Sequence, residues 1–188
     1  MKSMTKRLLA ALLAVAALFA LVGCSKSDKA DAAPKDYTKI LHDARPDEDN
    51  EYYMIFSPGK DGKFTAQYGY SDSYDAAQLD EEIRNMLLPL LNLEEDMYTD
   101  FAASVSGMMV QSYGIAIVKP AEGKQQAVSE ALDAYVQSQM QSMEHYLEDQ
   151  YQIAASSHIS TAPTGEVILV CCENPEAVMS AIKTALAA

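Results

Sequence analysis

The sequence predicts an α+β fold, a two-layer sandwich with helices on one face of an antiparallel or mixed sheet. Three observations carry this prediction. Short apolar or alternating runs come in pairs, at residues 101–105 and 113–119 and again at 156–161 and 166–172. Stretches of three-four apolar spacing lie before, between and after those pairs. Pro and Gly sit where the runs stop. From residue 75 the predicted order is αββαββα, and paired strands with intervening helices favour antiparallel pairing and segregated layers.

Residues 37–44, "YTKILHDA", fit one short helix that stops before Arg45-Pro46, because a residue preceding proline is driven out of the helical region. "DEDNE" (47–51) reads as a solvated turn, "YYMIF" (52–56) as a strand, and "SPGKDGK" (57–63) as a loop. "FTAQYGY" (64–70) alternates and can pair back as a second strand. A helix follows from Asp75, with Leu79, Ile83, Met86, Leu87, Leu90 and Leu91 on its buried face. Pro89 removes an amide donor, so the helix should end or kink just before it. Phe101, Ala103 and Val105 alternate with polar or small residues, and "YGIAIVK" (113–119) has the continuous apolar character of a strand covered on both sides. Residues 121–150 read as one helix, with Val128, Ala131, Leu132, Tyr135, Val136, Met140, Met143 and Leu147 in a stripe. "SSHIST", the turn Pro163-Thr164-Gly165 and "EVILVCC" form a hairpin. Asn174-Pro175-Glu176 is a helix start: Asn caps, Pro occupies the first helical position and Glu faces the positive end. Val178, Ile182, Ala185 and Leu186 are that last helix's predicted buried face.

The front end has a different character. Lys2, Lys6 and Arg7 precede an uninterrupted apolar run, Leu8 to Val22, and the first acid is Asp28. That is the pattern of a signal peptide. At about fifteen residues the run is short of the roughly twenty that span a bilayer. It ends in Leu21-Val22-Gly23-Cys24, which resembles the bacterial lipobox. That resemblance implies a diacylglyceryl thioether on Cys24, cleavage between Gly23 and Cys24, and a mature protein beginning at Cys24. Leu21 would fill an apolar subsite, and Gly23 would leave room at the scissile bond. A lipid anchor with two acyl chains holds a protein on a membrane, where one chain binds only marginally. The expected organisation is therefore a signal peptide over 1–23 and a lipidated Cys with a disordered tether over 24–36. An N-terminal helix-and-strand extension over 37–74 and the α+β domain over 75–188 follow. The expected place is the extracytoplasmic side of the cell membrane.

Charge narrows the partners. The whole chain carries −13, and without Lys2, Lys6 and Arg7 the remainder carries −16. Such a field repels phosphate backbones, which excludes nucleic-acid binding in the absence of a basic patch. It also opposes docking on anionic lipid heads, so the lipid itself must hold the membrane. Cys171 and Cys172 are neighbours in a strand and point to opposite faces, as buried small hydrophobes do. His42, His145 and His158 show no metal-ligand spacing, and no cofactor is implied.

The stretch 113–182 resembles a lipoprotein family of Gram-positive Firmicutes catalogued as domain of unknown function 4358. The resemblance rests on the strand Ile115 to Lys119, the segment "YLEDQY" (146–151) and the strand Val167 to Cys171. It spans roughly residues 75–188 and implies a surface lipoprotein, with no chemistry attached. Catalytic motifs fail on inspection. Ser57-x-x-Lys60 has the spacing of penicillin-recognising enzymes, but Pro58-Gly59 makes a turn where that chemistry needs a helix start. Asp47, Asp49 and Glu51 open like a calcium loop, yet Tyr52 stands where glycine is required and Pro58 where glutamate is. Met108-Met109 and the stripe Met140, Met143 read as core filler. The uncharged stretch "QSQMQS" (137–142) offers Gln137, Gln139 and Gln141 as a possible partner patch, since no ion there needs desolvation. The resulting expectation is a membrane-anchored binding or accessory module. The alternatives are an enzyme with a non-signature site and a structural subunit of a surface complex.

Overall fold

The computed structural model describes residues 34–188. The expected signal peptide, the lipobox-like residues Leu21, Val22, Gly23 and Cys24, and most of the expected tether lie outside the described residues. Six strands form one open sheet: β1 (Ile55–Pro58), β2 (Phe64–Gln67), β3 (Tyr98–Val105), β4 (Gly114–Pro120), β5 (His158–Thr161) and β6 (Val167–Cys171). Their order is β2-β1-β3-β4-β6-β5, and every neighbouring pair is antiparallel. Both strand pairs expected after residue 75 are present, in an α+β fold.

The layers differ from the expectation. Side chains alternate across the sheet, and both sets are buried. Phe101, Ala103, Ala116, Val118, Val167 and Leu169 enter one core. Ala102, Ile115, Ile117, Ile168 and Val170 enter another, on the opposite face. The first core is covered by the helical segments at residues 76–90 and 125–155; the second by α1 (Tyr37–Ala44) and the closing helix α7 (Pro175–Ala187). Helices therefore lie on both faces rather than one. The physical reason is in the strands: runs such as Ile115 to Val118 leave no polar face to meet water, so each face needs a cover. Cys171 and Cys172 follow the same rule, one in each core and both reduced.

Helix ends are set by local chemistry. The Asp36 carboxylate accepts the Lys39 amide at 2.9 Å and caps α1. The helix stops at Arg45, in extended conformation before Pro46. The acidic stretch after it is a short helix, α2 (Asp47–Tyr52), rather than a turn. Asp47, Glu48 and Asp49 sit at its positive end, where carboxylates are stabilising. The strand expected over 52–56 consequently begins at Ile55. Asp75 and Gln78 cap α3 (Ala76–Glu82) reciprocally. Pro89 is accommodated by a single π-turn over Ile83–Leu87, where the Leu88 amide reaches back to the Ile83 carbonyl, and α4 (Leu88–Leu90) follows. The extra residue rotates the helix face. Leu79, Ile83, Leu87, Leu88 and Leu91 are buried, whereas Met86 and Leu90, expected inside, are exposed.

The helix expected over 121–150 is two helices, α5 (Gln125–Met143) and α6 (Glu148–Ala155). A helix of about 27 residues would run roughly 40 Å. The five residues of β6 and seven of β4 span only about 17–24 Å at ~3.4 Å each. The chain therefore turns at residues 144–147 and brings Ile153 and Ala154 back onto the core. At α7 the Asn174 backbone is left-handed and its side chain makes no cap; Pro175 begins the helix as expected. Met179 joins Val178, Ile182 and Leu186 inside, while Ala185 is exposed.

Candidate functional site

A cleft of about 850 Å³ opens at one end of the sheet. Its floor is the connection from β3 to β4, residues 106–113. The Ser106 amide donates to the Tyr113 carbonyl at 2.9 Å and closes the base of that loop. Ser106 Oγ accepts the Met108 amide at 3.1 Å, and the Ser112 amide donates to Gln150 Oε1 of α6 at 2.9 Å. The break between α5 and α6 thus serves the site, since it places Gln150 and Ile153 on the cleft wall.

The opposite wall comes from α2 and its neighbours. Tyr53 stacks on Tyr113, rings 3.9 Å apart and 12° from parallel. Arg45, only 5% exposed, holds this wall from behind. Its guanidinium donates to Asn50 Oδ1 at 2.6 Å, Ser104 Oγ at 2.7 Å, the Tyr53 carbonyl at 2.7 Å and Tyr113 Oη at 3.1 Å. A planar fork with five donors suits this arrangement of acceptors. Tyr52 and Tyr70 complete the aromatic side, and Met86 and Met108 the apolar one. Gly69 lets the 68–70 turn cross the chain closely: its φ is +52°, and a Cβ there would lie 2.6 Å from the Met54 nitrogen.

Four carboxylates, Glu48, Asp49, Glu82 and Glu173, line the cleft, and among its described residues there is no Lys, Arg or His. Burial pushes the Asp49 carboxyl up, against a hydrogen bond from Tyr113 and the charge of Arg45. Burial raises the Tyr53 hydroxyl, and Asp49 and Glu48 raise it further. The Cys172 thiol is pushed up to about 12 by burial, then by Asp49, Cys171 and Glu173. A thiol held neutral is a poor nucleophile. Two polar atoms here have no hydrogen-bond partner among the described residues: Gln111 Oε1, and Ser112 Oγ on a residue 2% exposed.

The residues singled out from sequence lie elsewhere or divide. Gln137 and Gln141 share a shallow depression beside Ile159 of the edge strand β5, while Gln139, two residues from each along α5, is not in it. Met143 and Met140 belong to the core, but Met108 is exposed and Met109 is 87% exposed, on the loop that floors the cleft, rather than core filler. The histidines do not converge. His42 stands by Asp43 and Tyr68, His145 is exposed beside Glu144, and His158 is 3.5 Å from Glu176 on the β5 edge. Among the described residues, no three His, Cys, Asp or Glu side chains are placed to hold a metal. No helix there is long and apolar enough to cross a membrane. As possible site residues of the cleft, the sequence drew notice only to Asp49, in the failed calcium-loop pattern, and to Met108, read as core filler. The signals on offer were the adjacent methionines at 108–109 and the eleven tyrosines of a chain without tryptophan.

Residues 71–172 match a family model described as Domain of unknown function (DUF4358). Neither the curated proteins nor the solved structures yield a match. The matched range holds β3, β4, β5, β6 and the cleft floor; Glu48, Asp49, Tyr52, Tyr53 and Tyr70 precede it. With more than half of its length covered, the chain belongs to the DUF4358 family.

Proposed function

We propose that the protein is a membrane-anchored lipoprotein on the extracytoplasmic side, and that its folded domain is a binding module using the cleft at the end of the sheet. The anchor rests on the basic start, the apolar run and the lipobox-like Leu21-Val22-Gly23-Cys24. The binding role rests on one observation above all: Ser112, which lines the cleft, buries a hydroxyl with no partner. An unmet buried polar group is a standing cost to the fold of about 1–3 kcal/mol. It is readily understood where a ligand completes the bond. The surroundings support binding: aromatic and apolar side chains share the lining with four carboxylates and several neutral polar groups that can orient a small molecule.

Ser112→Ala separates these roles. In the ligand-free full chain it should raise Tm, because the unmet hydroxyl is gone. In a thermal-shift panel of wall fragments, metal ions, peptides and sugars, the wild type should be stabilised by at least one compound, and that gain should shrink in Ser112→Ala. A wild type that responds to none of these classes overturns the binding role. So does a responding ligand whose gain is unchanged by substitutions throughout the cleft.

A further inference from the structure

We propose that the cleft binds a primary aliphatic amine, an ammonium group carried on a short methylene stem; this deepens the binding-module reading and rests on it. Charge comes first. Glu48, Asp49, Glu82 and Glu173 line one recess with no cationic side chain among its described residues. An anion is repelled there, and four carboxylates facing one space are relieved by a cation. Arg45 does not line the cleft; behind the Tyr53–Tyr113 wall its single charge acts on Asp49, which leaves the four carboxylates in excess.

The second observation is independent of charge. Gln111 Oε1 and Ser112 Oγ are both without partners. The amide oxygen is an acceptor only and needs a donor, and the hydroxyl, which can donate or accept, is satisfied by a donor as well. An ammonium supplies three N–H donors and no acceptor. The walls decide between an inorganic and an organic cation. A hard metal ion takes six or more oxygen ligands, and among the described residues no three His, Cys, Asp or Glu side chains are close enough to share one. Tyr52 and Tyr70 line the cleft instead, and aromatic rings attract an ammonium. Met86 and Met108 offer pliable apolar surface for a methylene stem. The negative field also registers in the neighbouring groups: acids of the cleft add to burial in raising Cys172, Tyr53 and Tyr70.

Three five-carbon probes that differ only at their ends test this: cadaverine, 1,5-pentanediol and glutarate. Titrated calorimetrically into the full chain, cadaverine should bind at least about tenfold more tightly than either of the others, and salt should weaken it. Glu82→Gln and Glu173→Gln should each weaken cadaverine about threefold, the scale of one partly exposed charge pair, with Tm showing that each variant is folded. If the diol binds as well as the diamine, or glutarate binds better, the amine assignment is overturned while a binding cleft remains. If none of the three binds, the amine assignment is likewise overturned. The binding-module reading fails separately, through a flat response to the broader panel.

Discussion

Glu166 is a carboxylate that the β5–β6 hairpin keeps out of water, only 4% exposed, with the Tyr37 hydroxyl donating to Oε1 at 2.9 Å and Thr164 donating to Oε2. Burial alone would raise its pKa, but the hydrogen bonds from Thr164, its own backbone amide and Tyr37 outweigh burial, and the group is held below its ordinary value. Its folded pKa being depressed, it contributes stability that is present above the unfolded value and lost as pH falls through the folded one. Glu166→Gln should therefore destabilise the protein at neutral pH by about 1.5–3 kcal/mol, the scale of hydrogen bonds to a charged group. The gap from wild type should narrow on acidification below about pH 4. Denaturant titrations at both pH values check this, and a gap independent of pH would rule out the ionised carboxylate as its source. Asp49 has the opposite sign. Its carboxyl is raised, so its ionisation weakens the fold as pH rises past the usual carboxylate range, consistent with a residue placed for something other than stability.

At the scale of elements, Tyr135 of α5 lies across the start of β4 and fixes how closely that helix approaches the sheet. Its hydroxyl donates to the Tyr113 carbonyl at 2.8 Å. A Cβ on Gly114 would stand 2.6 Å from Tyr135 Oη and 2.8 Å from Cζ, so the ring and not only the hydroxyl forbids it. Gly114→Ala should destabilise by about 1–3 kcal/mol, the range for overpacking a core. Combining it with Tyr135→Leu should cost less than the sum of the two single changes, because the obstruction is then absent. Strict additivity in thermal or denaturant melts would mean that helix and strand do not meet there. Elements whose limits rest on local chemistry were readable from sequence: α1 before Arg45-Pro46, the β5–β6 hairpin around Gly165, and α7 from Pro175. The π-turn was legible only as a disturbance near Pro89, so Met86 and Leu90 were assigned to the wrong side. The division of α5 from α6 has neither Gly nor Pro to mark it, because the short strands beneath it decide where the helix must turn.

For the whole molecule, the α+β class and antiparallel pairing followed from strand pairs and intervening helical spacing. The second helical layer was implicit in the same strands, since β4 and β6 present apolar side chains to both faces. The cleft was not legible. Its groups arrive from α2, the 68–70 turn, the π-turn, the β3–β4 loop, α6 and the residues after β6, and no spacing along the chain records that meeting.

Location and fold are separable properties of this chain, and Cys24 distinguishes them. Residues Lys35–Ala188 form a compact unit by themselves, with both cores and the cleft inside it. The proposed anchor needs only a thiol at position 24 behind the apolar run. A net charge of −13, or −16 without Lys2, Lys6 and Arg7, opposes docking of the remainder on anionic lipid heads. Cys24→Ala should therefore leave Tm and the response to ligands unchanged while abolishing attachment. In cells fed labelled fatty acid, the variant should stay unlabelled and accumulate at the size of the uncut precursor. The wild type should be labelled and should shorten by the 23 residues that precede Cys24. A variant that is still labelled and trimmed like the wild type would show that the thiol at position 24 is not the attachment point.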